Sequence, residues 1–206
     1  SDLVIGKDFT PDNYPKTKIM IDYARLDRSL NFYEEAGFKR IELPWTVTKS
    51  ISGITKPEDK TDWEIVGKDK VLVASGEQGF LYLYLKGFLP KGRFMGITPC
   101  FREEPFDQTH SKYFIKNELI ITDEVNNKTL VEVINVCKEF YESELETSVD
   151  LVKTEFGFDL EVNGIEIGSY GIRSCEYLDW IYATALAEPR FSMVKSIIDR
   201  QKKTSL

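Results

Sequence analysis

Histidine occurs once in these 206 residues and cysteine three times. Cys100, Cys137 and Cys175 lie far apart, are odd in number and lack CxxC spacing, so neither a zinc site nor a disulfide framework is expected. They read as buried, reduced thiols. No apolar run approaches membrane-spanning length, and the first residues lack a basic stretch followed by an apolar one. A soluble, cytoplasmic protein is the expectation. Excess positive charge is missing too: 27 Lys and Arg stand against 34 Asp and Glu, for a net charge of -7. Such a chain repels phosphate backbones unless its basic residues gather on one face, so DNA is not an expected partner. Internal repeats and low-complexity segments are also lacking.

What is present supports one substantial core, with 42% hydrophobic and 13% aromatic residues. Residues 1–16, with Pro11 and Pro15, read as an arm, and residues 17–206 as one domain. From Lys18 to Ala36 apolar residues recur at steps of three and four, the spacing of an amphipathic helix, and Gly37 stops it. Phe38–Leu43 alternates as a strand does. Ile54–Lys70 is charged and broken by Pro57, a loop or short hairpin. Val71–Val73 reads as a short buried strand, while Gly79–Gly87 suits a buried helix or a strand equally. Phe94–Phe101 and Tyr113–Thr122 read as a long-loop hairpin, and Leu130–Tyr141 marks a helix face. Asn163-Gly164 between alternating runs marks a second hairpin, Phe158–Ile167. Tyr177–Leu186 and Arg190–Arg200 read as closing helices. The class that follows is α+β, a mainly antiparallel β-sheet flanked by helices.

Strand periodicity puts Arg102 and Glu104 on one face, and Phe114, Lys116 and Glu118 on one face of the returning strand. If the faces coincide, a guanidinium for phosphate, a carboxylate for an amino group and a ring for stacking stand together. An ordinary solvated face is the alternative. At the second hairpin, a two-residue turn pairs Glu161 with Glu166 and places Asp159 on the same face. A divalent cation on phosphate oxygens would relieve their repulsion, and oxygen ligands favour magnesium; a solvated acidic hairpin is again the alternative.

Phe101-Arg102-x-Glu104, followed by His110, Phe114 and Glu118, resembles motif 2 of class II aminoacyl-tRNA synthetases, with the spacing of the lysyl and aspartyl subgroup. Gly37-Phe38-x-x-Ile41-x-x-Pro44 is similar to motif 1, the dimer-forming element, and Leu186-x-x-x-Arg190-x-x-Met193-Val194 resembles motif 3. The motifs occur in family order. The resemblance implies that Arg102 holds the α-phosphate of ATP, Glu104 the adenine amino group, Phe114 the adenine face, His110 a distal phosphate and Arg190 the γ-phosphate. FDLEVNGIE is similar to the strand that carries the metal-binding acids of aspartyl-tRNA synthetases, which makes Asp159 and Glu166 the implied Mg2+ ligands. The run from Glu166 to Arg173 resembles the next strand there and in ammonia-dependent asparagine synthetase, implying that Arg173 holds an aspartate carboxylate. Strict alternation sends Glu166 and Arg173 to opposite faces, and one bulge, at Gly168 or Gly171, would reunite them. Ser75-Gly76-Glu77-Gln78 resembles the loop that receives the substrate amino group, at Glu77 or Gln78, with Glu118 beside it.

The implied activity is formation of an aminoacyl-adenylate by a stand-alone ligase without an anticodon-binding domain, a homodimer joined through residues 17–44. Charging of tRNA is an alternative that the acidic balance disfavours. Ala185 and Ala187 replace motif 3 glycines, which favours the other alternative, a nonenzymatic paralogue with a binding or regulatory role.

Overall fold

Asp22 begins the first helix, because its carboxylate accepts the Arg25 amide at 2.8 Å and satisfies a donor with no partner inside the helix. The computed structural model describes residues 20–103 and 113–205. Their elements are α1 (Tyr23–Glu35), β1 (Lys39–Arg40), β2 (Thr46–Thr48), α2 (Lys49–Thr55), β3 (Lys70–Leu72), α3 (Gly76–Leu85), β4 (Arg93–Phe101) and β5 (Tyr113–Ile121). α4 (Asn127–Leu145), β6 (Asp150–Lys153), β7 (Phe158–Val162), β8 (Ile165–Ser174), β9 (Asp179–Glu188) and α5 (Arg190–Thr204) follow. The arm, residues 1–16, lies outside the described residues.

The main sheet has the order β1-β4-β5-β9-β8-β7-β6. β1 runs parallel to β4, and the remaining pairs are antiparallel. This is the expected α+β class. Alternation along the central strands separates two cores: Leu119, Ile121, Ile181 and Ala183 pack with α1, α4 and α5, whereas Ile120 and Trp180 point to α3 and the β2–β3 pair. A cavity between α3 and the sheet opens on this second side. Among the described residues no helix is long and apolar enough to cross a membrane.

Three readings change. Tyr177–Leu186 is not a closing helix; Asp179–Glu188 forms β9, hydrogen-bonded to β5 and β8. Buried on both faces, a central strand shows no polar alternation, so its apolar run mimics a buried helix, and pairing overrides the helix propensity of its alanines. Phe38–Leu43 pairs over Lys39–Arg40, continued by the Ile41 amide to Met95. The Gly79–Gly87 ambiguity resolves to α3, which begins earlier because the Ser75 hydroxyl accepts the Glu77 amide at 3.1 Å.

β9 carries a bulge: Asn117 faces Leu186 and Glu118 faces Thr184, which leaves Ala185 extra. A bulge strips carbonyls of ladder partners. Tyrosine hydroxyls replace them, Tyr33 donating to the Ala185 carbonyl at 2.8 Å, and Tyr141 and Tyr170 to the Thr184 carbonyl at 2.6 and 2.8 Å. Nearby, Arg25 of α1 donates to Glu188 at 3.0 Å and to the Ser192 hydroxyl at 2.7 Å, tying α1 to the β9–α5 junction. Arg25 and Glu188 are 5% and 0% exposed.

Removing one member of a buried ion pair strands the other. Arg25→Ala is therefore expected to lower unfolding free energy by about 3–5 kcal/mol, measured by urea titration. Burial pushes the thiols of Cys100 and Cys137 up to about 12, leaving them unreactive at neutral pH, while Cys175 is half-buried. Titration of the native protein with dithiobis(nitrobenzoate) should find about one reactive thiol, rising to all three on denaturation.

Candidate functional site

The first turn of α3 forms one wall of a cavity of about 300 Å³. Glu118, on the cavity face of β5, accepts the Glu77 amide at 2.6 Å and pairs with Lys116 at 2.9 Å. A carboxylate suits this place, since the unpaired amides and dipole of a helix N-terminus favour negative charge. Gly76 allows this close approach: an added Cβ would lie 2.7 Å from the Glu118 carboxylate and 2.9 Å from the Thr98 methyl, so that one of them would have to shift. Glu77 points into the cavity, where its carboxylate takes the Trp180 indole N–H at 2.6 Å and pairs with Arg173. Burial raises the Glu77 pKa, and the Arg173 charge and the indole hydrogen bond oppose that rise. Gln78 has a different employment. Its amide accepts the Ala74 N–H at 2.8 Å and donates to the Ser52 hydroxyl at 3.2 Å, fastening α3 to α2.

The β7–β8 hairpin forms the opposite wall. Asn163 and Gly164 both have positive φ, and Glu161 faces Glu166 across the turn. Leu160 then faces Gly168, so Ile167 is extra. That bulge at the Ile167–Gly168 step brings Glu166 onto the same face as Ser169 and Arg173, and all three line the cavity. The Arg173 guanidinium carbon lies over the Tyr182 ring, 4.0 Å from its centroid. Gly168 has no space for a side chain, because an added Cβ would come within 2.3 Å of the Tyr170 hydroxyl.

Arg190, at the start of α5, reaches Glu166 at 3.4 Å. Asp159 has a raised pKa, from burial first and then from the charge of Glu166. Among the described residues no group of three or more His, Cys, Asp or Glu could hold a metal ion. Asp159 and Glu166 therefore do not form a protein cage; two carboxylates fit magnesium that takes its other ligands from phosphate and water. Arg102 donates through Nε to the Ala74 carbonyl at 3.0 Å, and its guanidinium lies 5.1 Å from the Phe114 centroid. Glu104 and His110 lie outside the described residues.

One cavity thus joins Arg102, Glu77, Gln78, Glu118, Glu166 and Arg173, with Phe114 stacked on Arg102, Arg190 paired to Glu166, and Asp159 beside Glu166. Trp180 and Tyr182 were not legible as site residues, because the run that contains them reads as helix. The strand assignment alone would have placed both on the face of Thr184, toward the cavity.

No protein-family model and no curated protein matches the sequence. Solved structures do match. A pyrrolysyl-tRNA synthetase from Desulfitobacterium hafniense superposes with a TM-score of 0.69 at 16% identity, over 88% of this chain and 69% of that one. Seryl-tRNA synthetase from Pyrococcus horikoshii, complexed with ATP, gives 0.67 at 18% identity over 85% and 49%. The cytoplasmic serine-tRNA ligase from Naegleria fowleri, in complex with AMP, gives 0.63 at 16% over 84% and 47%. The fold is that of a class II aminoacyl-tRNA synthetase catalytic core. This synthetase-like chain spans about half the length of the seryl enzymes it resembles.

The indole N–H is one of two side-chain donors to a buried carboxylate. Trp180→Phe, which removes the donor and part of the buried ring, is expected to cost at least about 1–3 kcal/mol in denaturant unfolding.

Proposed function

We propose that this chain activates an amino acid with ATP, forming an aminoacyl-adenylate. The observation that carries the reading is the convergence of Arg102, Glu77, Glu118, Glu166 and Arg173 on one cavity of a fold shared with synthetases whose structures hold ATP and AMP.

In the proposed reaction a carboxylate oxygen of the amino acid attacks the α-phosphorus of ATP in line. The bond from that phosphorus to its bridging oxygen breaks, and pyrophosphate leaves with the electron pair. Neither proton transfer nor a protein nucleophile is needed; catalysis consists of positioning and charge neutralisation. Arg102 neutralises the α-phosphate, and its contact with Phe114 fixes the plane of the guanidinium. Glu77 and Glu118 receive the substrate ammonium. Arg190, which lies 3.4 Å from Glu166, would meet the distal phosphates. Asp159 and Glu166 would hold the magnesium ion, which supplies charge neutralisation to the phosphates when bound. The likeness of the Glu166 to Arg173 strand names aspartate as a candidate substrate. Ammonia, a small amine, a carrier or tRNA would accept the activated acyl group.

A binding or regulatory role without catalysis is the second reading. It is favoured by Ala187, at a position where the family carries glycine; Ala185, the other such position, is fully buried in the core against α1, α4 and α5 and does not line the cavity.

Exchange of labelled pyrophosphate into ATP, surveyed over the twenty amino acids with magnesium, separates the two readings. Exchange with at least one amino acid is expected, and Arg102→Ala should lower it about 10²–10³-fold, the loss seen when one preorganised donor to a developing charge is removed. ATP binding with no exchange for any amino acid would make the chain a binding protein.

A further inference from the structure

The inner end of the cavity holds two cation–anion pairs. Arg173 is paired with Glu77, and Lys116 with Glu118 at 2.9 Å. The acids are deeply placed, with Glu77 and Glu118 both 7% exposed, and each has a second tie: Glu77 to the Trp180 N–H at 2.6 Å, Glu118 to the Glu77 amide at 2.6 Å. Their remaining lone pairs suffice for the α-ammonium that every amino acid carries, but they cannot swing away to make room for a second charge without losing those donors. Glu118 also lies close enough to act electrostatically on both Glu77 and Arg173. The four charges therefore form one balanced group, with the guanidinium held over the Tyr182 ring.

A carboxylate on the substrate side chain would enter beside Glu77 and Glu118 and meet a guanidinium whose charge is already answered. A side-chain ammonium or guanidinium would enter beside Arg173 and Lys116 with both acids engaged by those residues and by the α-ammonium. Like charges brought together are disfavoured. An aliphatic side chain brings no such repulsion but leaves the polar lining without partners. Arg173 still offers donors, since a guanidinium has five and one meets Glu77, and its side chain is 42% exposed. Ser169 lines the same region. A side chain that both donates and accepts hydrogen bonds while carrying no charge satisfies all of these groups.

Resting on the activation reading, we infer that the cavity selects an amino acid with a neutral hydroxyl or carboxamide side chain over aspartate, glutamate, lysine and arginine, and that Glu77 sets this preference by neutralising Arg173. The implied aspartate is thereby a disfavoured substrate, despite the arginine.

The isosteric pair asparagine and aspartate isolates charge from size. Binding of each of the twenty amino acids to the whole chain is measured by calorimetry with a nonhydrolysable ATP analogue and magnesium, and pyrophosphate exchange is measured in parallel. The best ligand should be neutral and polar, and aspartate should bind more weakly than asparagine by about 100-fold or more. Glu77→Gln, which leaves Arg173 unopposed, should narrow or invert the asparagine-to-aspartate ratio even if it weakens both. A best ligand that is acidic, basic or aliphatic overturns the inference, as does an aspartate-to-asparagine ratio in the native chain at or above one, whether or not the variant folds. Exchange driven by aspartate would sink the inference and leave activation standing. Ranked binding without exchange would sink activation and leave the selectivity standing, while absence of binding by any amino acid removes both.

Discussion

The Glu77 carboxylate is 7% exposed and is held by two donors from different strands, the Trp180 indole of β9 and the Arg173 guanidinium of β8. A buried carboxylate without donors would favour its protonated form and lose its ability to bind a cation. Its position also depends on α3, whose first turn is fixed by the Ser75 cap and by Glu118 on the Glu77 amide. Three elements on the α3 side of the sheet are thus locked around one group. Any change that shifts α3 relative to β8 and β9 moves Glu77, Arg173 and Glu118 together, so the inner cavity acts as a unit.

Two bulges make that unit possible, and they are secured from the far side of the sheet. Without the extra Ile167, Glu166 and Arg173 would face opposite ways; without the extra Ala185, the alternation that aims Thr184 at the cavity would be out of step with Leu186 in the helical core. Each bulge leaves polar backbone groups in an apolar layer. Tyr33, Tyr141 and Tyr170 answer those of β9, and the Tyr141 and Tyr170 hydroxyls occupy the space above Gly168. The geometry of the cavity is therefore specified by residues of α1, α4 and β8 that never touch it, through hydrogen bonds whose loss would strand buried carbonyls.

Local signals made much of this legible. Asn163-Gly164 fixed the register of the acidic hairpin, since few residue pairs accept two successive positive φ values. The run of paired strands around a long loop identified β4 and β5, and the spacing within it carried the family likeness that the fold agrees with. β9 was missed because a strand covered on both faces loses its period-2 signature, and its register is set by β5 and β8, which are distant in sequence. α2 was missed because seven residues carry too little periodicity, and what starts it is the single Thr48 cap. The tyrosine ties and the Arg173–Glu77 pair join residues up to 152 positions apart, which no local pattern encodes. The bulge was anticipated only as a need, from two residues that had to share a face.

The acidic balance of the whole chain and the chemistry proposed for the cavity are compatible because charge acts locally. Among the described residues five cations line the cavity, Lys56, Lys60, Arg102, Lys116 and Arg173, against five acids, Asp62, Glu77, Glu103, Glu118 and Glu166, whereas the chain as a whole has 27 against 34. The cavity is therefore less acidic than the chain that surrounds it. Exposed charges more than about 10 Å away are largely screened at physiological salt, so the net -7 weighs on the approach of a long polyanion far more than on a nucleotide already inside. Within the cavity the cations differ in availability. Lys56 is held by Asp62 at 3.0 Å, Lys116 by Glu118 and Arg173 by Glu77, while Arg102 rests on a carbonyl and a ring, neither of which cancels its charge. The Arg102 end is consequently the part of the cavity that suits the phosphate role proposed for it, and the balanced group around Glu77 the part that suits the proposed reading of the amino acid.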